Sequence, residues 1–583
     1  MIGSLAEYHK RRKKHGLEPV QLGEHPLFRT LIARVAGSIL SGILLALAFP
    51  GTGFSLLAFA ALVPLVFSVQ SVRLRRAAWL GLLSGFVFYM CSLSWLSRLL
   101  GVVDHPGLKA CAVLGYAGLS IYCALYFIPF AMICSVGIRR WVGDDVLKNV
   151  RFMLASSVAW VALEYFRSVL FTGFPWNALG VSQYTSPALI QLAGIGGVYK
   201  VSAVVVWMNM ALFVTLRQYT HGTRLRKYRM HFELMIGLTL VALSMMYGLG
   251  VILDRPKPSE SVRVGFVQPN VEQTLKNMIT QQDAVKMRET LRRLSLAVDN
   301  LQDSAGGKFD LDLIVWPETA LPDPLHAGQS YASRALVNEI VAGGTPLLVG
   351  TIDFMISRDE TPSWFNSSIL VGGNGNELMK YDKQHLVPFG EYVPFPGIRK
   401  FTAVEGDISP GLVRTVFPLP DPVEGIQRAP FSVLICFEDT VASLASQSVL
   451  NGARWLVNQT NDGWFDPSAQ SEQHLAHAVF RCVENRVPMV RCCNTGVSGL
   501  IDASGAINPY PFVSSRIAPR TEGYSVAQLF PRHEDEPLTF YTRRGDFFAY
   551  VCVLLSIGTL ITFRSKACKR KRKEPTSPLP PDV

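Results

Sequence analysis

The chain has 583 residues, which is too long for one ordinary soluble domain. Hydrophobic residues make up 49% of it and charged residues only 17%, with a mean hydropathy of +0.25, so a wholly water-soluble protein is excluded. The net charge of +12 would suit nucleic acid or anionic lipid, but the basic clusters adjoin apolar segments. Clusters in that position indicate membrane topology, and we expect no nucleic-acid partner.

Apolar segments long enough to cross a bilayer, which takes about 20 helical residues, occur eight times. Seven precede residue 254, and the eighth follows a long region of mixed polarity. The sequence therefore predicts a bundle of eight transmembrane helices, which cover residues 31–49, 53–70, 77–99, 110–137, 150–170, 197–216, 232–253 and 547–563.

The basic clusters predict the orientation of these spans. They lie at residues 10–14, 73–76, 139–140, 217–229 and 566–573, which are all on one side of an eight-span bundle. Positive loops face the cytoplasm. We therefore expect a cytoplasmic arm (1–30), a seven-helix membrane domain (31–254), a non-cytoplasmic domain (255–545), an eighth helix (546–564) and a cytoplasmic tail (565–583).

The loop at residues 171–178, Phe-Thr-Gly-Phe-Pro-Trp-Asn-Ala, lies on the non-cytoplasmic side in this topology. It could be an aromatic belt at the membrane surface, or it could shape a lipid entry site beneath the soluble domain. Glu164 and Arg167, just before it, are spaced to pair across one helical turn.

From residue 261 short apolar runs alternate with amphipathic helical segments, which is typical of an α/β domain. Strands are expected near 262–267, 311–316, 346–352, 367–371, 431–436, 454–457 and 487–492. Helices are expected near 280–300, 330–342, 440–451 and 471–485.

Three residues at the ends of strand-like segments could form and break an acyl-thioester. Glu318 follows Leu-Ile-Val-Trp-Pro, Cys436 follows an apolar strand, and Lys383 precedes a Pro-Phe-Gly turn. A thiol needs a base or a nearby cation to become a good nucleophile. Singly, each residue is more often a turn, packing or solvated residue, and their occurrence together indicates an active site.

Several motifs resemble the carbon–nitrogen hydrolase (nitrilase) superfamily, whose Glu-Lys-Cys triad lies on an αββα sandwich. They are Trp-Pro-Glu (316–318), Lys-Gln-His-Leu-Val-Pro-Phe-Gly-Glu-Tyr-Val-Pro (383–394), Cys-Phe-Glu (436–438), Asn-Asp-Gly-Trp (461–464) and Asn-Thr-Gly (494–496). With seven predicted spans before this domain and one after it, the chain resembles the membrane-embedded apolipoprotein N-acyltransferases in particular.

This resemblance implies that Cys436 is the nucleophile, Glu318 the general base and acid, and Lys383 the oxyanion stabiliser. Glu391, Phe437 and Glu438 match supporting residues, and the Phe437 N–H is a second oxyanion donor. Three positions depart from the family pattern. Phe437 lacks the usual hydroxyl, residues 465–474 lack a glycine, and Cys492-Cys493 replaces smaller or hydroxyl residues.

A metal site is a further possibility, because His474 and His477 lie one helical turn apart. No third ligand has suitable spacing, and the resemblance implies neither a metal nor another cofactor. We therefore expect these histidines to be packing residues near the active site.

The implied reaction moves an acyl chain from a phospholipid, through a Cys436 thioester, to the α-amine of an apolipoprotein's N-terminal diacylglyceryl-cysteine. It would take place at the periplasmic face of a bacterial inner membrane. The same triad would also serve a membrane-anchored amidase or nitrilase that passes the acyl group to water. The other alternative is a transporter with an extracytoplasmic binding domain. Transport pathways tend to need charged residues and paired broken helices within the membrane, and the predicted spans show few charges and no such pair.

Overall fold

The computed structural model describes residues 30–102, 106–221, 231–256, 260–273, 276, 279–302, 306–325, 331–356, 362–393, 407–419, 428–508 and 516–571. The predicted basic arm up to residue 29, the basic segment 222–229 and the tail from residue 572 lie outside the described residues.

The N-terminal region is helical, as its apolar composition predicts. Its helices α1–α10 are Leu31–Leu47, Val63–Ser68, Leu74–Ser92, Leu99–Val102, Pro106–Leu125, Phe127–Trp141, Val146–Val169, Pro187–Ile190, Ala193–His221 and Phe232–Leu253.

Of the described helices, four are long and apolar enough to cross a membrane: Lys109–Trp141, Val146–Thr172, Ala193–Thr220 and Phe232–Leu253. A fifth span is possible if Leu74–Ser92 and Ser94–Gly101, which meet at a bend of 53°, are one unit. The predicted count of eight is therefore established only in part. The other three predicted spans are shorter apolar helices, Leu31–Leu47, Ser55–Ser68 and Phe547–Phe563.

One end of the helical bundle gathers arginines on backbone carbonyls. Arg139 donates to the carbonyl of Val72 at 2.7 Å, and Arg140 donates to the carbonyl of Phe563 at 2.7 Å. Arg34 binds two carbonyls of the segment that follows the second apolar helix. Since one guanidinium can satisfy several backbone carbonyls, these contacts join the first predicted span to the end of the second, and the end of the fourth to Val72 and to the last span.

The strands of the α/β region form two sheets. Strands β1–β11 are Val262–Gln268, Leu313–Val315, Leu347–Ile356, Pro362–Val371, Glu377–Asp382, Phe417–Leu419, Arg428–Ile435, Trp455–Thr460, Met489–Cys493, Gly499–Ile501 and Gly523–Leu529. The first sheet is ordered β11-β1-β2-β3-β4-β5 and the second β10-β9-β8-β7-β6. Pairing is parallel between β1 and β2, β2 and β3, β7 and β8, and β8 and β9.

The two sheets share a buried core to which β1, β2 and β7–β9 contribute. Helices α11 (Gln281–Asp299) and α12 (Tyr331–Val341) cover the first sheet. Helices α13 (Ala442–Leu450) and α14 (Gln470–Asn485) cover the second, and their outer side belongs to one apolar core with the N-terminal helices. The remaining helices are α15 (Phe540–Arg544) and α16 (Phe547–Lys571). The predicted α/β domain is thus confirmed as a layered sandwich that packs on the helical region.

The strand directions bring three predicted residues to one edge of the sandwich. Glu318 follows β2 and Lys383 follows β5, and these strands run the same way because β3 is parallel to β2 while β4 and β5 each reverse. Cys436 follows β7 in the facing sheet. Ligand and reaction sites in α/β folds collect at such carboxyl ends.

Candidate active site

Cys436 begins a sharp turn. Strand β7 is buried to its last residue, Ile435, and the chain then enters a 3-10 turn, Cys436–Thr440, with Cys436 at a φ of +52°. A left-handed conformation is uncommon for a residue other than glycine, and it persists only where the surroundings hold it. Asn458 contributes by donating to the Cys436 carbonyl at 3.2 Å.

The fully buried Glu438 carboxylate is the group that holds this turn. It accepts hydrogen bonds from the backbone N–H groups of Ile435 (2.8 Å), Gln384 (2.8 Å) and His385 (3.1 Å), and from the hydroxyl of Tyr381 (2.8 Å). Two of these donors lie in the loop that carries Lys383. One carboxylate therefore fixes the cysteine turn of the second sheet against the lysine loop of the first.

Lys383 lies between two carboxylates and is 1% exposed. Its Nζ is 2.9 Å from Glu391 Oε1 and 3.6 Å from Glu318 Oε1, and the Asn366 amide donates to both of those oxygens at 2.9 and 2.8 Å. Burial alone would favour the neutral amine, but Glu391 and Glu318 outweigh it and raise the pKa of Lys383 above its usual value. The side chain is therefore an ammonium at neutral pH.

Glu318 is placed by the strand beside it. Ala320 N–H donates to the carbonyl of Gly350 at 2.8 Å, and a Cβ on Gly350 would lie 2.1 Å from the carbonyl oxygen of Pro317. Only glycine permits this approach. Lys276 adds a second cation nearby, with its Nζ donating to the Thr319 carbonyl at 3.0 Å.

The same charges act on the Cys436 thiol. Burial and the Glu318 carboxylate raise the pKa of the thiol well above its usual value, whereas Lys383 and the Thr460 hydroxyl lower it. The resting cysteine is therefore protonated, and a thiolate forms only when a base next to it takes the proton. Glu318 is the carboxylate that acts most strongly on this thiol, so the arrangement suits a base–nucleophile pair.

Four buried charged groups lie behind the cysteine turn. Arg491 is 2.8 Å from Asp439 and 3.0 Å from Asp462, and the ring nitrogens of His474 are 2.8 Å from the same two carboxylates. His474 Nε2 also lies 3.3 Å from the carbonyl of Cys436. Within the described ranges no group of three or more His, Cys, Asp or Glu is arranged to hold a metal ion. His474 is thus a member of a charge network that supports the turn.

The 171–178 loop reaches the same turn from the membrane region. The Trp176 side chain is 2% exposed, and its ring lies parallel to that of Phe437, with an interplanar angle of 1° and 6.1 Å between centroids. The Trp95 ring is 5.3 Å from that of Trp176, and the Phe465 ring of the catalytic domain is 4.6 Å from that of Trp95. The second half of the loop is therefore packed beside the cysteine turn, whereas Phe171 at its start is 85% exposed.

Glu164 and Arg167, whose spacing suggested a pair, interact electrostatically, but their side chains make hydrogen bonds to other partners. Glu164 accepts from the Trp160 indole and from the backbone of Leu179, both at 2.7 Å. Arg167 donates to the carbonyls of Phe174 and Trp176, at 2.8 and 2.6 Å. Arg167 thereby holds the 171–178 loop, and Glu164 holds the residue that follows it.

All six site residues predicted from the sequence are therefore close together: Glu318, Lys383, Glu391, Cys436, Phe437 and Glu438. Sequence reasoning missed Asn366, Asn458 and Arg491, whereas Trp176 lies in the 171–178 loop that the sequence singled out. Asn366 and Asn458 lie within strands, where a polar residue reads as ordinary alternation. Asp439 directly follows the 436–438 motif and Asp462 lies within the 461–464 motif, which is the signal that could have found the charge network.

Comparison with known proteins gives consistent matches along the chain. Residues 41–211 match the apolipoprotein N-acyltransferase N-terminal domain, and residues 263–530 match the carbon-nitrogen hydrolase family. An apolipoprotein N-acyltransferase of Geobacter metallireducens is 34% identical over 540 residues, covering 91% of this chain and 95% of its own length. One from Allorhizobium ampelinum is 32% identical, covering 81% and 86%, and apolipoprotein N-acyltransferase 1 of Treponema denticola is 26% identical, covering 90% and 95%.

The charge on His474 predicts a loss of stability in mild alkali. Burial lowers its pKa, but Asp439 and Asp462 outweigh burial and Arg491 and raise it from 6.5 to about 9. Stabilisation by the imidazolium is therefore complete below pH 6.5 and is lost as the pH rises through about 9, a change of about 3 kcal/mol in the free energy of unfolding. Thermal unfolding of the detergent-solubilised protein between pH 6.5 and 9.5 measures this.

The matched variant is His474→Gln, which keeps a polar side chain but cannot titrate. Its unfolding temperature should change less with pH over this range than that of the wild type. Identical pH dependence in both proteins would contradict a charged His474.

Proposed function

The chain belongs to the apolipoprotein N-acyltransferase family, and we propose that Glu318, Lys383 and Cys436 carry out its reaction. It is an acyltransferase of lipoprotein maturation. The observation that carries the assignment of residues is the ammonium of Lys383 between two carboxylates, beside a strained cysteine turn.

In the first half of the reaction Glu318 takes the Cys436 proton, and the thiolate attacks an ester carbonyl of a phospholipid. The C–S bond forms and the carbonyl electrons move to oxygen, where Lys383 and the Phe437 N–H stabilise them. Such donors are worth about 3–4 kcal/mol each in acyl transfer. The ester C–O bond then breaks, and Glu318 returns its proton to the departing lysophospholipid. The acyl group remains as a thioester on Cys436.

In the second half the α-amine of a diacylglyceryl-cysteine attacks the thioester. Glu318 accepts a proton from the amine while the amide bond forms and the C–S bond breaks, and the proton then returns to the Cys436 sulfur. The same carboxylate serves both halves, because each requires one proton to be removed and one to be delivered. Burial of Lys383 keeps its charge close to the oxyanion and away from screening by water.

The phospholipid donor is supported by how the domains are joined. Trp176 of the apolar helical region stacks on Phe437, the residue that follows Cys436, and Trp95 packs against Trp176. A lipid chain that leaves a bilayer around those helices would therefore meet the nucleophile turn without crossing bulk water. An ester-linked membrane lipid is the acyl donor that this arrangement suits.

The proposed topology has eight spans, with both termini in the cytoplasm and residues 255–545 in the periplasm. Contacts at the two ends of the bundle support it. The arginines of the predicted cytoplasmic segments gather at one end. Segments predicted to lie on the opposite side, at Pro50 and at 171–178, contact the catalytic domain. Domain boundaries at 30, 254, 545 and 564 follow from the same pattern.

An acyl-thioester should be trapped on Cys436 when the purified protein is incubated with phospholipid. Mass spectrometry should find one acyl group on the Cys436 peptide, and diacylglyceryl lipopeptide should discharge it as an N-acylated product rather than as free fatty acid. Cys436→Ala should carry no label. Label that persists in this variant would contradict the nucleophile, and release of fatty acid alone would indicate a hydrolase.

Labelling of introduced cysteines tests the orientation. Tyr331 lies on the catalytic domain and is 88% exposed, and Arg75 is an exposed residue of a predicted cytoplasmic segment. A membrane-impermeant maleimide should modify Tyr331→Cys in intact spheroplasts and Arg75→Cys only after permeabilisation. The reverse pattern would place the catalytic domain in the cytoplasm.

A further inference from the structure

Gln473 has a role in the catalytic domain that its sequence position does not indicate. It lies in the first turn of helix α14, one residue before His474, and its side chain is 2% exposed. Its oxygen Oε1 accepts three hydrogen bonds, from Trp176 Nε1 at 2.8 Å, Trp95 Nε1 at 3.1 Å and Asn177 Nδ2 at 3.3 Å. All three donors belong to the membrane region.

The amide nitrogen of Gln473 faces the same region. It donates to the carbonyl of Ser92 at 3.1 Å and more weakly to that of Pro50 at 3.5 Å. One buried side chain thereby binds three segments that are far apart in the chain: the turn after α1, the break after α3 and the 171–178 loop. A glutamine suits this place because a single neutral group supplies both an acceptor and donors.

What these bonds hold in place is an aromatic wall beside the nucleophile turn. The Trp176 ring lies parallel to that of Phe437, and it also packs on the rings of His474 and His477, at centroid distances of 5.6 and 5.2 Å. Trp95 extends the wall to Phe465. The wall joins the apolar helical region to the side chain of Phe437, whose backbone N–H is the proposed oxyanion donor.

From this geometry we propose that Gln473 is a positioning residue for acyl transfer. It fixes Trp176 against Phe437, and so aligns the acyl chain that passes from the lipid phase to Cys436. The inference rests on the proposed function, because the chain it aligns is that of the phospholipid donor.

The physical reason is the cost of leaving buried donors without a partner. Without Gln473 the two indole N–H groups would lose their acceptor, which costs more than the bonds themselves contribute. The rings would then turn to find other partners and withdraw from Phe437. A reacting carbonyl displaced by about 1 Å loses up to about a hundredfold in rate.

Gln473→Leu separates alignment of the lipid from integrity of the triad. We expect acylation of Cys436 by phospholipid in mixed micelles to fall about tenfold, the equivalent of one buried hydrogen-bonding group. Alkylation of Cys436 by iodoacetamide, a small reagent that needs the thiol but no aligned chain, should fall by less than about twofold. Mass spectrometry of the Cys436 peptide measures both rates.

Gln191→Leu is the matched control. Gln191 is also a buried glutamine at this interface and donates to the carbonyl of Ser504 at 2.9 Å, but its contacts do not include the aromatic wall. Its substitution should leave phospholipid acylation within about twofold of the wild type. An equal loss in both variants would mean that any weakened interface slows the enzyme, and would overturn the proposal.

A double-mutant cycle with Trp176→Phe completes the test. Phenylalanine keeps an aromatic ring but removes the Nε1–H donor, so the loss in Gln473→Leu/Trp176→Phe should be well below the product of the single losses. Two results would overturn the role of Gln473 and leave the triad assignment intact. One is a loss in the double variant equal to the product of the two single losses, and the other is an equal loss of acylation and alkylation in Gln473→Leu. Wild-type protein without any thioester would overturn both.

Discussion

The site depends on one buried cation. Lys383 is enclosed by protein, and a charge in that position persists only when it is paired and hydrogen-bonded. Glu318 and Glu391 lie against the Lys383 ammonium, and the Lys276 ammonium lies close to Glu318. Burial and the Glu318 carboxylate keep the resting Cys436 thiol protonated, and Lys383 opposes them. In the proposed reaction the removal of that proton by Glu318 begins the acyl transfer.

Two sheets and a membrane bundle must be held in register for this cluster to work. The Glu438 carboxylate binds the cysteine turn of one sheet to the lysine loop of the other. The quartet of Asp439, Asp462, His474 and Arg491 supports the turn from behind. On the side that faces the apolar helices, Trp176 of the 171–178 loop packs against Phe437. The catalytic and helical regions thus share one buried core.

The sequence predicted what is local and could not predict what the fold assembles. Glu318, Lys383 and Cys436 were found because each ends a strand within a distinctive motif. Asn366 was missed because its two carboxylate partners come together only when β4 pairs with β3, which itself pairs with β2. Strand β11 was missed because its pairing with β1 joins residues more than 250 positions apart. The first predicted span is shorter than expected, because the turn at Pro50 and Gly51 ends its helix at Leu47.

The central claim is that Lys383 acts electrostatically on Cys436, and the pH dependence of Cys436 alkylation by iodoacetamide tests it most directly. Lys383 lowers the pKa of this thiol, so its replacement in Lys383→Met should raise that pKa. We predict that alkylation of the folded variant at pH 7 is slower by about tenfold, which corresponds to one pKa unit, and that its midpoint moves to higher pH. Equal rates and equal midpoints in the two proteins would contradict the account.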